Sequence, residues 1–327
     1  MNWFISHNTA LEFWRTKEAR ISLAGKKLRC KKLPIRLMDT REIRRGNPWE
    51  LTMPLHILVG SSNARKATKS LQCHISSEEY PSGSFIEGAP GLAVSSPELL
   101  FIQMAETLSL EELVQLGFEL CGGYRLGNKQ DTARGFRDDQ PLTSVVKLRA
   151  YLSRAPVIKG KKKAKRALQF ITDNAASPME TIVTMLLSLP YKLGGYGFSK
   201  PLLNYPVEVS LDTRKYVRIR KYRCDLYWPE GRVAIEYDSE AFHADPRKTA
   251  QDMIRRNALI SAGVKVVTVS KDQVLDRVKL RELALVLGRL LGKRIQFQTK
   301  KFFVHHAGLH SLLRPKASLE KTKTKPT

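Results

Sequence analysis

Clustered and alternating apolar residues divide the N-terminal half of the chain into segments that predict strands and helices. Residues 53–59 (MPLHILV) form a continuous apolar run, which is typical of a buried strand, and residues 60–94 predict further strand in a turn-rich region. The Ser-Pro-Glu sequence at 96–98 predicts a helix start, because serine caps helices and proline fits the first helical position. With two more helices predicted downstream, we expect residues 1–155 to form an α+β domain.

The C-terminal half predicts a second domain in which helices and strands alternate. The predicted order is helix, strand, strand, helix, strand, helix, which is typical of a mixed sheet flanked by helices and places the chain in the α/β class. We expect this domain at residues 167–297, after a basic linker at 156–166 and before a basic, partly disordered tail at 298–327. The predicted strands are 216–228, 232–238 and 264–270, and the predicted helices include 165–173, one beginning at 178, 248–262 and 280–291.

The charge of the chain changes this picture by indicating a polyanionic partner. The sequence has 56 lysines and arginines against 31 aspartates and glutamates, a formal net charge of +25. Such an excess favours nucleic acid, and double-stranded DNA is the expected partner. An anionic membrane surface is the weaker alternative, because no basic amphipathic helix is long enough to support it. Without a predicted membrane span, a signal-peptide pattern or metal-like cysteine spacing, we expect a cytoplasmic, reduced protein.

Three acidic residues near two predicted strand ends are the strongest indication of chemistry. Glu236 and Asp238 are two residues apart on one strand and so leave the same face, while Asp225 lies near the end of the partner strand. Unpaired carboxylates in an apolar sheet are unfavourable, and no lysine lies on these strand ends to neutralise them. A divalent cation with oxygen ligands, Mg²⁺ or Mn²⁺, is therefore expected. Surface exposure of Asp225 and a turn-forming role of Asp238 are the alternatives.

Several of these residues together resemble the PD-(D/E)XK nuclease superfamily, and within it the branch of very-short-patch-repair endonucleases. The resemblance covers about residues 165–297. It implies a restriction-endonuclease-like mixed sheet and metal-dependent hydrolysis of DNA. The residues that carry it are Glu180, Asp225, Glu236, Tyr237, Asp238, His243, Asp252, Met253, Ile254, Arg255 and Gly263.

The resemblance implies a catalytic role for each of five residues. Asp225 and Glu236 resemble the metal-binding acids, and Glu180 resembles a helix glutamate that reaches a metal-bound water. Asp238 stands where most members of the superfamily have lysine. His243 is the candidate for proton transfer or for contact with the scissile phosphate. It lies one residue further along than in related sequences, which leaves the acid–base assignment open.

Basic residues supply the predicted contacts with DNA. The resemblance makes Arg255 a candidate phosphate clamp, and Arg256 adds charge beside it. Lys161, Lys162 and Lys163 in the linker are candidate phosphate contacts or an ordinary solvated charge run.

Purely structural roles are the alternative for some of the same residues. Glu180 fits a capping box with Ser177, and Arg255 can pair with Asp252 on one helix. His56 and His74 are interpreted as lone histidines that lie on the surface or are packed.

Two functions remain open from the sequence. The first is a metal-dependent DNA endonuclease, whose N-terminal domain targets it or binds a protein partner. The second is a non-catalytic DNA-binding regulator or antitoxin-like protein that keeps the nuclease fold. Charge alone does not exclude RNA as the substrate.

Overall fold

The structure is a computed structural model, and its described residues fall into two compact units, Met1–Ile171 and Thr172–Thr327. Helices and mixed sheets in both units confirm the predicted α/β class. Side chains of residues 246–252 are not described. The described residues are 3–16, 27–28, 32–33, 50–65, 68–127, 135–208, 220–238, 246–295 and 299–314.

A mixed sheet of six strands forms one layer of the first unit. The strands are β1 (Trp3–Ile5), β2 (Lys27–Leu28), β3 (Leu55–Val59), β4 (Leu71–Ile75), β5 (Phe85–Ala89) and β6 (Leu92–Ser95). Their order across the sheet is β2–β5–β6–β1–β3–β4. Strand β1 is parallel to β6 and antiparallel to β3, and β3 is parallel to β4. Strands β7 (Tyr124–Leu126) and β8 (Phe136–Asp138) form a separate hairpin-like pair.

Helices pack around a central apolar helix in the same unit. The helices are α1 (His7–Arg15), α2 (Pro97–Met104), α3 (Leu110–Cys121), α4 (Val145–Arg154) and α5 (Lys161–Leu168). Helix α2 contacts α1, α3, α4, α5 and β6. It is apolar on nearly all sides, which is the pattern of a fully buried helix. The predicted caps are present, since Ser96 Oγ accepts from Leu99 N and Ser109 forms the capping box with Glu112.

The structure differs from the sequence-based division in the first unit. Part of the predicted linker is helix α5, whose Ala164, Ala167 and Leu168 are buried, so the division between units falls after Ile171. Strand β1 and helix α1 were also not predicted, because they are short and lie in a strongly basic region.

A four-stranded mixed sheet forms the centre of the second unit. The strands are β9 (Leu202–Glu208), β10 (Lys221–Trp228), β11 (Val233–Asp238) and β12 (Lys265–Ser270), in the order β12–β11–β10–β9. Strand β10 is antiparallel to β9 and β11, and β11 is parallel to β12. Strand β9 was not predicted. It contains Pro206, which argues against a strand except at a sheet edge, and β9 is an edge strand.

Within the described part of the second unit, five α-helices accompany this sheet. They are α6 (Pro178–Ser188), α7 (Pro246–Ser261), α8 (Lys271–Leu275), α9 (Arg277–Leu290) and α10 (Lys300–Leu313). Leu259 of α7 packs against the sheet beside Tyr227 and Ala234. Helix α10 lies in the predicted tail, yet it buries Phe302, Leu309 and other residues of one face. Residues 315–327 of that tail lie outside the described residues.

Candidate functional site

A row of polar side chains crosses the sheet of the second unit. The register pairs Leu226 with Ile235, so the next pair along the antiparallel strands is Asp225 with Glu236. Opposite residues of such a pair share one side of the sheet. Cross-strand neighbours extend the row to Asn204 on β9 and Thr268 on β12. These four residues, Asn204, Asp225, Glu236 and Thr268, are called the polar row below.

Arg255 of helix α7 joins the two acids of the polar row. Its Nη2 atom is 2.5 Å from Glu236 Oε2 and 3.9 Å from Asp225 Oδ1. The same nitrogen also donates to the carbonyl of Arg223. One atom can contact both carboxylates only if they lie together, so the predicted convergence of Asp225 and Glu236 is present. The sequence offers no lysine on the strand ends to neutralise these acids, and in the structure a cation reaches them instead from Arg255 on a helix.

Glu180 is held at the start of helix α6 by three donors. Its carboxylate accepts from Ala176 N at 2.8 Å, Ser177 Oγ at 3.0 Å and Asn204 Nδ2 at 2.6 Å. Ser177 Oγ in turn accepts from the amide of Glu180, which is the serine half of the predicted capping box, whereas Glu180 accepts from the amide of Ala176. The bond to Asn204 was not predicted. It connects Glu180 to the polar row, next to Asp225.

Burial raises the pKa values of all three carboxyl groups, and the charge of Asp225 adds to the rise for Glu236 and Glu180. Burial is the main cause for Glu236, whose pKa rises to about 8, and the charge of Asp225 adds to it. Burial likewise raises the pKa of Glu180 to about 7, with a contribution from Asp225. The pKa of Asp225 is also raised by burial, against the hydrogen bond from Tyr237 N and the charge of Arg255. Acids that share a site and resist ionisation are typical of functional sites.

The remaining predicted residues are exposed, belong to the first unit or are not described. Asp238 is exposed at the end of β11, opposite Ser270, and Arg256 is exposed on α7. His243 lies outside the described residues, and so does the side chain of Asp252. Lys161, Lys162 and Lys163 belong to helix α5 of the first unit.

The donor set of the polar row fits a divalent cation bound by few protein ligands. Glu236 Oε1 is buried and has no hydrogen-bond partner among the described residues. Mg²⁺ is usually bound by one or two carboxylates while it keeps several waters, so Asp225 and Glu236 are sufficient. Within the described part of the chain, no three histidine, cysteine, aspartate or glutamate side chains are arranged to hold an ion together. Glu180, a predicted ligand, uses its oxygens for the cap and for Asn204.

Comparison with known proteins adds a distant relationship. Two curated proteins of Mycobacterium tuberculosis, from strains CDC 1551 / Oshkosh and ATCC 25618 / H37Rv, are each 28% identical to this chain over 111 residues. Both are named only as uncharacterized proteins. The match covers 34% of this chain, and the chain spans about a third (36%) of the length of these relatives. The chain matches no protein-family model, and no solved structure matches it.

Three histidines of the first unit lie against one another. The rings of His7 and His74 stack with centroids 3.6 Å apart, and His56 Nδ1 is 3.0 Å from His74 Nε2. Burial, and then the charge of His7, lower the pKa of His74 to about 3. His56 and His74 are therefore packed histidines, as one of the two interpretations has it, but they are not lone. Parallel pairing of β3 with β4 brings them together, which spacing along the sequence does not reveal.

None of the helices in the described ranges combines the length and the apolar character that crossing a membrane requires.

Proposed function

We propose that the second unit is a metal-dependent DNA endonuclease domain of the PD-(D/E)XK type. The observation that carries the proposal is the pair Asp225 and Glu236, which are mostly buried, adjacent and reached by one guanidinium nitrogen. A mixed sheet flanked by helices, which the resemblance implies, supports it. Double-stranded DNA is the proposed substrate, in agreement with the net charge of +25.

Asp225 and Glu236 are the residues that would hold the ion, Mg²⁺ or Mn²⁺. When bound, such an ion polarises a phosphoryl oxygen and lowers the pKa of a coordinated water. Glu180 fixes Asn204 beside Asp225, which keeps that end of the polar row in place. Arg255 reaches the same carboxylates and is therefore positioned to bind a phosphate group brought to them. Proton transfer by His243 and a role of Asp238 stay predictions.

The cellular setting belongs to the same proposal. A cytoplasmic location is proposed for this protein, in agreement with DNA as the proposed substrate. The first unit is proposed to target the nuclease or to bind a protein partner.

A plasmid-nicking assay with Mg²⁺ tests the activity. Wild-type protein should convert supercoiled DNA to nicked or linear forms, and Asp225→Asn or Glu236→Gln should reduce the rate by at least about a hundredfold, because each removes a charged ligand. Glu208→Gln is the matched control, since Glu208 is an exposed acid on the same sheet.

Unchanged cleavage by both active-site variants would contradict the proposal. Chelation by EDTA should abolish cleavage by the wild-type protein, and EDTA-resistant activity with the same products would contradict it as well. Assays on mismatched DNA, single-stranded DNA and RNA define the substrate.

One observation favours a second candidate, a DNA-binding regulator without cleavage. Arg255 already neutralises the acids of the polar row, as a structural ion pair would. In that case the protein binds duplex DNA in a salt-sensitive manner and shows no metal-dependent nicking. Binding that is equally strong in the wild-type protein and in Asp225→Asn is expected under both functions, so the nicking assay decides between them.

A further inference from the structure

Half of the residues that line a cleft in the first unit are lysines. The cleft encloses about 710 Å³ and lies between the end of α2 and the start of α5. Its volume is in the range of sites that bind small ligands. The charged residues that line it, called the lysine cleft below, are Glu106, Lys159, Lys161, Lys162, Lys163 and Lys165.

The lysines of the cleft divide into two groups. Lys161 Nζ donates to the carbonyl of Ala155, and Lys163 Nζ donates to the carbonyl of Leu108 at 2.8 Å. These two amines hold neighbouring backbone segments together.

The other three, Lys159, Lys162 and Lys165, are exposed. Lys162 and Lys165 are three residues apart on α5 and so share a face of the helix. All three residues line the same concave surface, where a cleft concentrates the field of their positive charges.

Glu106 is an acid in the same wall, and a buried histidine lies near it. His7 Nε2 is 4.0 Å from Glu106 Oε1. Interaction with His7 is the main cause that lowers the pKa of Glu106, and the charge of Lys159 adds to it. The carboxylate therefore stays ionised as an acceptor beside the lysines.

His7 itself is held in an unusual conformation. Its φ of 48° is rare for a non-glycine residue. The side chain of Gln103 accepts from its amide, and Ser6 Oγ lies 3.0 Å from its Nδ1. Such strain costs stability and is often kept at binding sites.

We propose that the lysine cleft binds a nucleotide-sized phosphorylated ligand. Lys159, Lys162 and Lys165 contact its phosphates, and Glu106 accepts a hydrogen bond from a sugar hydroxyl or a base amino group. An acid in the wall disfavours a continuous phosphate backbone but suits a ligand with phosphate at one end and donors at the other. The site belongs to the first unit and does not depend on the nuclease proposed for the second.

Calorimetric titration of the full-length chain with ATP and with pyrophosphate tests this site. The double variant Lys162→Ala/Lys165→Ala should bind both probes about tenfold or more weakly, because two charge-assisted contacts are lost. The control Lys147→Ala/Arg149→Ala removes two exposed charges from α4 outside the cleft and should bind both probes like the wild-type protein.

Glu106→Gln separates a nucleotide site from a general phosphate site. The substitution should weaken the binding of ATP several-fold, while the binding of pyrophosphate should be unchanged or tighter. Absence of ATP binding at millimolar concentration would overturn the proposal, as would equal losses in the α4 control. Loss of duplex DNA binding in the cleft variant with unchanged ATP binding would also overturn it, in favour of a nucleic-acid backbone contact.

Discussion

Arg255 is the residue that most affects the chemistry of the polar row. Its guanidinium compensates the repulsion between Asp225 and Glu236, which explains how two acids are tolerated together in a sheet. A divalent cation would compete with Arg255 for the same oxygens. Displacement by the ion would leave the guanidinium available for a phosphate.

Replacement of Arg255 by glutamine should strengthen metal binding. The variant loses the competing cation, so we expect it to bind Mn²⁺ about tenfold more tightly than the wild-type protein in calorimetry. Arg256→Gln is the control, because Arg256 is the exposed neighbour on the same helix. Equal or weaker binding by Arg255→Gln would show that the arginine does not occupy the ion site.

The raised pKa of Glu236 makes stability fall as the pH rises. The pKa of its carboxyl group is about 8 in the folded protein against 4.5 ordinarily, so between these values the folded state holds a proton that the unfolded state has released. The loss is at most about 1.4 kcal/mol per pH unit. In urea unfolding with EDTA, Glu236→Gln should therefore lose less stability than the wild-type protein between pH 5.5 and pH 7.5.

Glu208→Gln is the matched variant for this pH dependence and should keep the wild-type slope, because Glu208 is exposed. A Glu236→Gln profile parallel to that of the wild-type protein would contradict the assigned pKa.

The sequence predicts the acids of the site better than their partners. Alternation along β11 and the short turn before it suffice to bring Asp225 and Glu236 together. The contact with Arg255 depends on how α7 packs. The only sequence signal for it is that Arg255 lies on the same face of the helix as Ala258 and Leu259, which are buried. No local pattern indicates Asn204, since it lies on strand β9, which was not predicted from the sequence.

At the scale of elements, helix α10 stabilises the second unit. Phe302 packs against Tyr191 and Tyr196, and His306 Nδ1 lies 2.7 Å from the carbonyl of Gly194. Gly194 has a φ of 85°, and a Cβ there would meet the backbone of α10. The glycine-rich turn therefore allows the close approach of the helix.

Truncation of Phe302 tests the contribution of α10. Phe302 is 4% exposed and Phe303 is 49% exposed, so the two neighbours differ mainly in burial. We expect Phe302→Ala to lower the free energy of unfolding by about 3–5 kcal/mol. Phe303→Ala should change it by no more than about 0.5 kcal/mol. Similar effects of both substitutions in chemical denaturation would contradict the docking of this helix.

Elements with strong local signals were the ones that the sequence predicted. Ser96, Ser109 and Ser177 mark three helix starts through caps that the structure contains. Strand β9 and helix α10 were missed for physical reasons. Pro206 is tolerated only because β9 is at the sheet edge. The apolar face of α10 is interrupted by His306 and His310, whose burial is made possible by hydrogen bonds to backbone carbonyls.

At the scale of the whole molecule, the net positive charge opposes the cation binding that is proposed for the site. A net charge of +25 attracts polyanions and repels divalent cations from most of the surface. Tight binding of a cation therefore requires a local group of acids that overcomes this field. For this reason, a measurement of ion binding by the full-length chain reports selectively on the polar row.

The most direct measurement is the number of Mn²⁺ ions bound by the full-length protein, determined by electron paramagnetic resonance of the free ion. We predict one tightly bound ion for the wild-type protein and for Glu208→Gln, and none at the same concentrations for Asp225→Asn/Glu236→Gln. The same amount of bound Mn²⁺ in all three proteins would contradict a cation site at Asp225 and Glu236, and so would its absence from the wild-type protein.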